Sequence, residues 1–156
     1  DLSPSVLANV GLAAALEWAL SDAVAHIPAD QKFDYSFHSS AELEDRLRLD
    51  PSVEIQVYRI VQEAISNVCR HAGATIVKLT AEIDGAGDFV VILEDNGRGF
   101  DPGARAARTG RGLTNMRARA SLIEAKIEWS SKPGRGATFT LRKPGVGKQA
   151  ATNDVS

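Results

Sequence analysis

The sequence predicts an α/β chain, a two-layer sandwich with three main helices packed on one face of a mixed, mostly antiparallel sheet. Three observations carry this. Apolar residues recur at helical spacing in three separate stretches, and five short stretches alternate or run continuously apolar, as strands do. A length of 156 residues allows one hydrophobic core and so one domain.

From Gly11 to Ile27, the residues Leu12, Leu16, Ala19, Leu20, Ala23 and Ile27 form an amphipathic helix that Pro28 stops. Lys32 to Ser39 sets Phe33, Tyr35 and Phe37 against Lys32, Asp34, Ser36 and His38, the period of a half-buried strand. Ala41 to Asp50 reads as a charged connection with a short extended piece at Leu47 to Leu49. Asp50 then suits an N-cap with Pro51 at the first helical position, and Val53, Val57, Ile60, Val61, Ala64, Ile65 and Val68 stripe a second helix to about His71.

Thr75 to Ile83 and Phe89 to Leu93 read as two strands joined into a hairpin by Asp84-Gly85-Ala86-Gly87-Asp88. Leu113, Met116, Ala120 and Ile123 mark a third helix. Ile127 and Trp129, then Ala137, Phe139 and Leu141, mark two closing strands around a Ser131 to Gly136 turn. From Lys143 onward almost nothing can be buried, so residues 143–156 are expected to be a disordered tail.

Hydrophobic residues make up 44% and charged residues 24%, ordinary globular usage, and no apolar run approaches the roughly 20 residues of a spanning helix. A formal charge of -2 gives no general attraction for nucleic acid, so a bound anion must be held by local geometry. The single Cys69 fits a reducing, cytoplasmic setting and core filling, and His26, His38 and His71 are too scattered for a metal cluster. The chain opens on Asp1 without a leader, and is expected to be a piece of something longer.

Glu63, Asn67 and His71 are spaced by four, which in an α-helix puts them on one side of an otherwise apolar element. Alone, such a row is most often a solvated face. Asp95 follows the apolar strand at its C-terminal end, where open sheets place ligands, with Gly97 and Gly99 next. Asp-Asn-Gly alone is a common turn. Gly110 and Gly112 precede the third helix, so N–H groups of Gly112, Leu113 and Thr114 could meet phosphate. Neither glycine pair completes G-x-G-x-x-G, since the third position falls on Pro102 or Asn115. Gly145-Val146-Gly147-Lys148 lacks the Ser or Thr of a P-loop.

Taken together, Tyr58-Arg59-Ile60-Val61-Gln62-Glu63-Ala64-Ile65-Ser66-Asn67 with Arg70-His71-Ala72, and Gly110-Arg111-Gly112-Leu113-Thr114-Asn115-Met116-Arg117, resemble the N-box and second glycine box of bacterial sensor histidine kinases. The likeness is to the nitrate-sensor-like branch, within the group that includes gyrase, heat-shock chaperones and mismatch-repair ATPases. It covers roughly Gly11 to Arg142, with a short lid at Asp101 to Thr109.

That resemblance implies a Bergerat-type ATP-binding domain over residues 11–142, preceded by a linker, 1–10, from a dimerisation domain outside the chain. It implies ATP and Mg2+ as ligands. Asp95 would bind the adenine amine, Asn67 the magnesium, and Glu63 would orient the metal's water or the reacting phosphate. Arg70 and His71 would face the phosphates, Gly97, Gly99, Gly110 and Gly112 with Leu113 would let the lid close, and Thr138 would reach adenine through water.

The expected activity is transfer of the γ-phosphate to a histidine of the phosphoacceptor domain, in a homodimeric parent serving a response regulator and not nucleic acid. Two other readings stand beside it. One is an anti-sigma-type serine kinase or switch protein on the same fold, against which the linker-like Leu2 to Leu7 argues. The other is a nucleotide-free interaction domain, which the intact Glu63, Asn67 and Asp95 disfavour.

Overall fold

The computed structural model describes residues 4–100 and 111–145. The elements run α1 (Pro4–Val10), α2 (Leu12–Ala25), a 3-10 turn (Ala29–Gln31), β1 (Asp34–Ser39), α3 (Leu43–Arg46), α4 (Pro51–Asn67), a π-helical turn (Val68–Ala72), β2 (Ile76–Ile83), β3 (Phe89–Asp95), α5 (Arg111–Leu122), β4 (Lys126–Ser131) and β5 (Ala137–Lys143). The sheet order is β1-β2-β3-β5-β4. Only β1 and β2 are parallel, so the sheet is mixed and mostly antiparallel as the pattern predicts.

Register decides which residues reach the core. Phe89, Val91 and Leu93 of β3 pair with Ile83, Ala81 and Leu79 on one side and with Lys143, Leu141 and Phe139 on the other. Those apolar residues, with Val77, form the sheet's helix-facing side and pack with Leu16 and Leu20 of α2, Ile60, Val61 and Ile65 of α4, and Met116 and Ala120 of α5. Burying each such large side chain contributes about 1.5–3 kcal/mol, so this common face holds the three main helices to the sheet.

Three local features depart from expectation. The segment read as a linker forms the short helix α1, whose Leu7 is 1% exposed in the core. The charged connection contains α3, with Leu47 extended but outside the sheet. Its Glu44 carboxylate accepts the Ala13 N–H at 2.6 Å, so a residue 31 positions away caps α2, whose own cap position holds Gly11 at φ 88. Strand β5 runs on to Lys143 because Lys143 pairs with Phe89, which places the start of the expected tail inside the sheet. The remainder of that tail, 146–156, and the lid residues 101–110 lie outside the described residues.

Helix α4 starts at Pro51 with Asp50 extended at the cap position, where it makes no side-chain bond to the first turn. Its Val57, Ile60, Val61, Ala64 and Ile65 are buried, leaving Glu63 and Asn67 half-buried at the edge of the apolar stripe. The helix does not stop at Asn67 but widens into the π turn, which Gly73 ends in the left-handed conformation at φ 61.

Candidate functional site

Asp95 is the last residue of β3 and shares the core-facing side with Val91 and Leu93. It is half-buried, and its Oδ1 accepts the Gly97 N–H at 2.8 Å. Burial pushes its carboxyl above the ordinary aspartate value, while hydrogen bonds from the Gly97 and Ala137 N–H groups partly offset this. A carboxylate has about four acceptor positions, so the Gly97 N–H orients it and still leaves it able to accept from a ligand.

The segment after Asp95 is held from both sides. Towards α4, the Arg98 N–H donates to the Ala72 carbonyl of the π turn at 2.8 Å. A Cβ at Gly97 would lie 2.2 Å from that oxygen and 2.9 Å from Asp95 Oδ1, so this contact requires glycine. Towards the β4–β5 turn, Gly136 N–H donates to Gly97 O at 3.0 Å, Gly134 N–H donates to Arg98 O, and Phe100 N–H donates to Ser131 Oγ at 2.9 Å. A Cβ at Gly136 would lie 2.2 Å from the Asp95 carbonyl. The third glycine segment therefore supports the first from behind.

Asn96, read from sequence as a turn residue, joins two distant parts of the chain. Its Oδ1 accepts the N–H groups of Thr75 and Ile76, both at 2.9 Å, and its Nδ2 donates to Thr75 Oγ1 at 2.9 Å. This fixes the start of β2 against the end of β3, and so sets Asp95 relative to the end of α4.

On α4, Glu63 and Asn67 lie one turn apart as the spacing predicts. The i, i+4 argument does not carry across the π turn to His71, because that turn has a different residue spacing. The residue seen against the row is Arg70. Its Nη2 donates to Asn67 Oδ1 at 2.8 Å and lies 3.3 Å from Glu63 Oε2, and its Nη1 donates to Ser66 Oγ at 2.6 Å. His71 is exposed.

Thr138 is not brought to Asp95. In β5, Ala137 pairs with Asp95 and Thr138 with Glu94, so alternation turns Thr138 to the sheet face away from the helices. Ala137 is the residue of that segment that lies opposite Asp95 and on its face of the sheet. Gly99 lies on the supported loop, with φ 68 and room for no Cβ beside the Lys132 carbonyl. Helix α5 begins at Arg111, so Gly112 and Leu113 are in its first turn, where N–H groups lack intrahelical acceptors. Gly110 lies outside the described residues.

The donor set suits the ligands the sequence implied. Magnesium takes oxygen ligands, commonly one or two from protein with phosphates and water completing the shell, and Asn67 with Glu63 offers an amide and a carboxylate oxygen. Among the described residues no group of three His, Cys, Asp or Glu could hold a metal unaided. The glycine cradle, closed to any Cβ, packs backbone directly against backbone around Asp95. A cleft of 220 Å³ between α2 and α4, lined by Trp18, Gln62, Ile65 and Cys69, does not include Asp95.

Comparison with known proteins gives the family and the fold. Residues 52–146 match the family described as histidine kinase-, DNA gyrase B-, and HSP90-like ATPase. The chain is 32% identical over 116 residues to the signal transduction histidine-protein kinase/phosphatase DegS of Bacillus subtilis, covering 72% of this chain and 29% of that protein. It is 29% identical over 144 residues to the oxygen sensor histidine kinase NreB of Staphylococcus carnosus, covering 92% of this chain and 39% of that protein. The chain thus spans well under half the length of these relatives.

Among solved structures, the histidine kinase domain of the Erythrobacter litoralis blue-light activated histidine kinase superposes with a TM-score of 0.73 at 17% identity, over 90% of this chain and 63% of that one. The ATP binding domain of PrrB from Mycobacterium tuberculosis superposes with a TM-score of 0.62 at 27% identity, over 85% of this chain and 93% of that one. With its mixed sheet, its Glu63 and Asn67 row and its backbone-held Asp95, the chain belongs to the histidine kinase-, DNA gyrase B-, and HSP90-like ATPase family.

Proposed function

We propose that this chain is the ATP-binding catalytic domain of a two-component sensor histidine kinase, and that it binds Mg-ATP and passes the γ-phosphate to a histidine on a dimerisation domain outside these residues. The observation that carries this reading is the half-buried Asp95, aligned by the Gly97 N–H, on a loop packed through glycine against the end of the helix bearing Glu63 and Asn67. The names of DegS and NreB support a histidine kinase parent over an anti-sigma-type serine kinase.

Asp95 accepts the adenine amine, as a half-buried acceptor held by the Gly97 N–H. Asn67 would supply its amide oxygen to magnesium, which when bound neutralises phosphate charge as phosphoryl transfer requires, and Glu63 would orient the metal's water or the reacting phosphate. Gly97 and Gly99 let backbone approach the nucleotide, and Gly112 and Leu113 present first-turn N–H groups to phosphate oxygens. Gly110 and His71 complete the phosphate side, Thr138 does not join the site, and a response regulator receives the phosphate from the histidine. The parent is homodimeric and its kinase domain cytoplasmic, where ATP is supplied.

Calorimetry with ADP tests the binding step: micromolar binding that strengthens with Mg2+ is expected, and no heat at millimolar ADP refutes the reading. Phosphotransfer needs the parent's dimerisation domain added in trans, and this chain alone turns over little ATP.

A further inference from the structure

We propose that Arg70 is a latch on the metal site: in the nucleotide-free protein its guanidinium holds the oxygens of Asn67 and Glu63, and phosphate must draw it off before a divalent cation can enter. This rests on the reading of Asn67 as the metal's protein ligand and of Glu63 as the carboxylate beside it that orients the metal's water. Three side chains of one helix converge on a single guanidinium, at 2.8 Å from Asn67 Oδ1, 3.3 Å from Glu63 Oε2 and 2.6 Å from Ser66 Oγ. The Nη2 group alone serves both the Asn67 oxygen assigned to the metal and the Glu63 oxygen assigned to the metal's water.

A guanidinium and a divalent cation seek the same lone pairs and repel each other when they share them. Solvent screens part of that repulsion, since the Arg70 side chain is 53% and the Glu63 side chain 31% exposed, but the two cations would still compete for the same oxygens. Magnesium gives up its water reluctantly, so a free ion gains little by competing with a cation already seated and hydrogen-bonded. A phosphate chain changes the balance, because its oxygens match the planar guanidinium fork and carry more charge than the single Glu63 carboxylate.

Phosphate thus takes Arg70, and the vacated oxygens meet a cation that arrives with, or after, the nucleotide. Nucleotide and metal become coupled, and the metal is excluded from the resting protein. Arg70 is in this sense a positioning residue for the metal as well as a phosphate contact.

The test uses Mn2+ alone as the probe, followed by water-proton relaxation on the nucleotide-free chain. Wild type should bind Mn2+ weakly. R70A should bind it at least fivefold more tightly, R70K should fall between because one ammonium cannot span all three acceptors, and R70A combined with N67A should return to weak binding. Gain of binding is not a consequence of unfolding, and R70Q offers a second neutral variant if R70A is unstable. Equal Mn2+ affinity in wild type and the Arg70 variants overturns the latch. Calorimetry of wild type with ADP separates the two readings: no ADP binding removes the nucleotide site itself, whereas normal ADP binding with unchanged Mn2+ affinity removes only the latch.

Discussion

Replacing Asp95 by Asn probes base recognition directly. The carboxylate already accepts the Gly97 N–H at 2.8 Å, so it is oriented before any ligand arrives and little reorganisation accompanies binding. An amine hydrogen bond to a charged acceptor is worth about 1.5–3 kcal/mol, which at about 1.4 kcal/mol per decade is about 10- to 150-fold in ADP affinity. Asn also presents an NH2 group, which cannot accept from an amine, and its one oxygen is already engaged by the Gly97 N–H, so the loss should fall in the upper half of that range.

The informative assay is calorimetry with ADP and with IDP, in EDTA so that the metal does not contribute. IDP carries a carbonyl where adenine has its amine. Wild type should prefer ADP by at least tenfold, and D95N should narrow or reverse that ratio because its NH2 can donate to the carbonyl. An unchanged ADP-to-IDP ratio would refute base recognition by Asp95, whatever happens to overall affinity. The pH profile gives a second check. Burial raises the Asp95 carboxyl, so folding favours its protonated form; the stability this contributes is complete below the ordinary aspartate value and is lost as pH rises through the raised one. ADP needs the ionised form, so affinity should fall on acidification at a higher pH than an ordinary aspartate would give, and D95N should lack that step.

Other outcomes follow from the same geometry. G136A, with φ 72 and a Cβ 2.2 Å from the Asp95 carbonyl, should lose about 2–4 kcal/mol in urea unfolding from strain and overpacking. G134A, with φ 79 and nothing within 4 Å, should lose only about 1–2 kcal/mol, and equal losses would refute the supporting role of Gly136. N67A should weaken ADP binding in Mg2+ more than in EDTA, and equal losses would count against Asn67 as a metal ligand. E44A removes the carboxylate from the Ala13 N–H and should cost about 1 kcal/mol of stability, read by chemical denaturation. The same variant should lower the Glu54 titration point by NMR, since burial first and the Glu44 charge second hold that carboxyl up.

The five strands, the three main helices and the candidate pair Glu63 and Asn67 were legible along the chain, because apolar periodicity and i, i+4 spacing are local properties. Asp95 was legible as well, as the carboxylate ending an apolar run. Tertiary structure decided the partners. Gly136 owes its importance to the Asp95 carbonyl, and Asn96 acts through Thr75 and Ile76, about 20 residues away. Alternation already put Thr138 opposite Ala137, but that Asp95 shares the face of Ala137 follows only from the β3–β5 register. Likewise, α-helical spacing aligned His71 with Asn67 until the π turn broke that spacing and left Arg70 against the row. Periodicity is written in neighbouring residues, whereas register, close backbone approach and helix widening arise when separate segments meet, and these set the chemistry of the site.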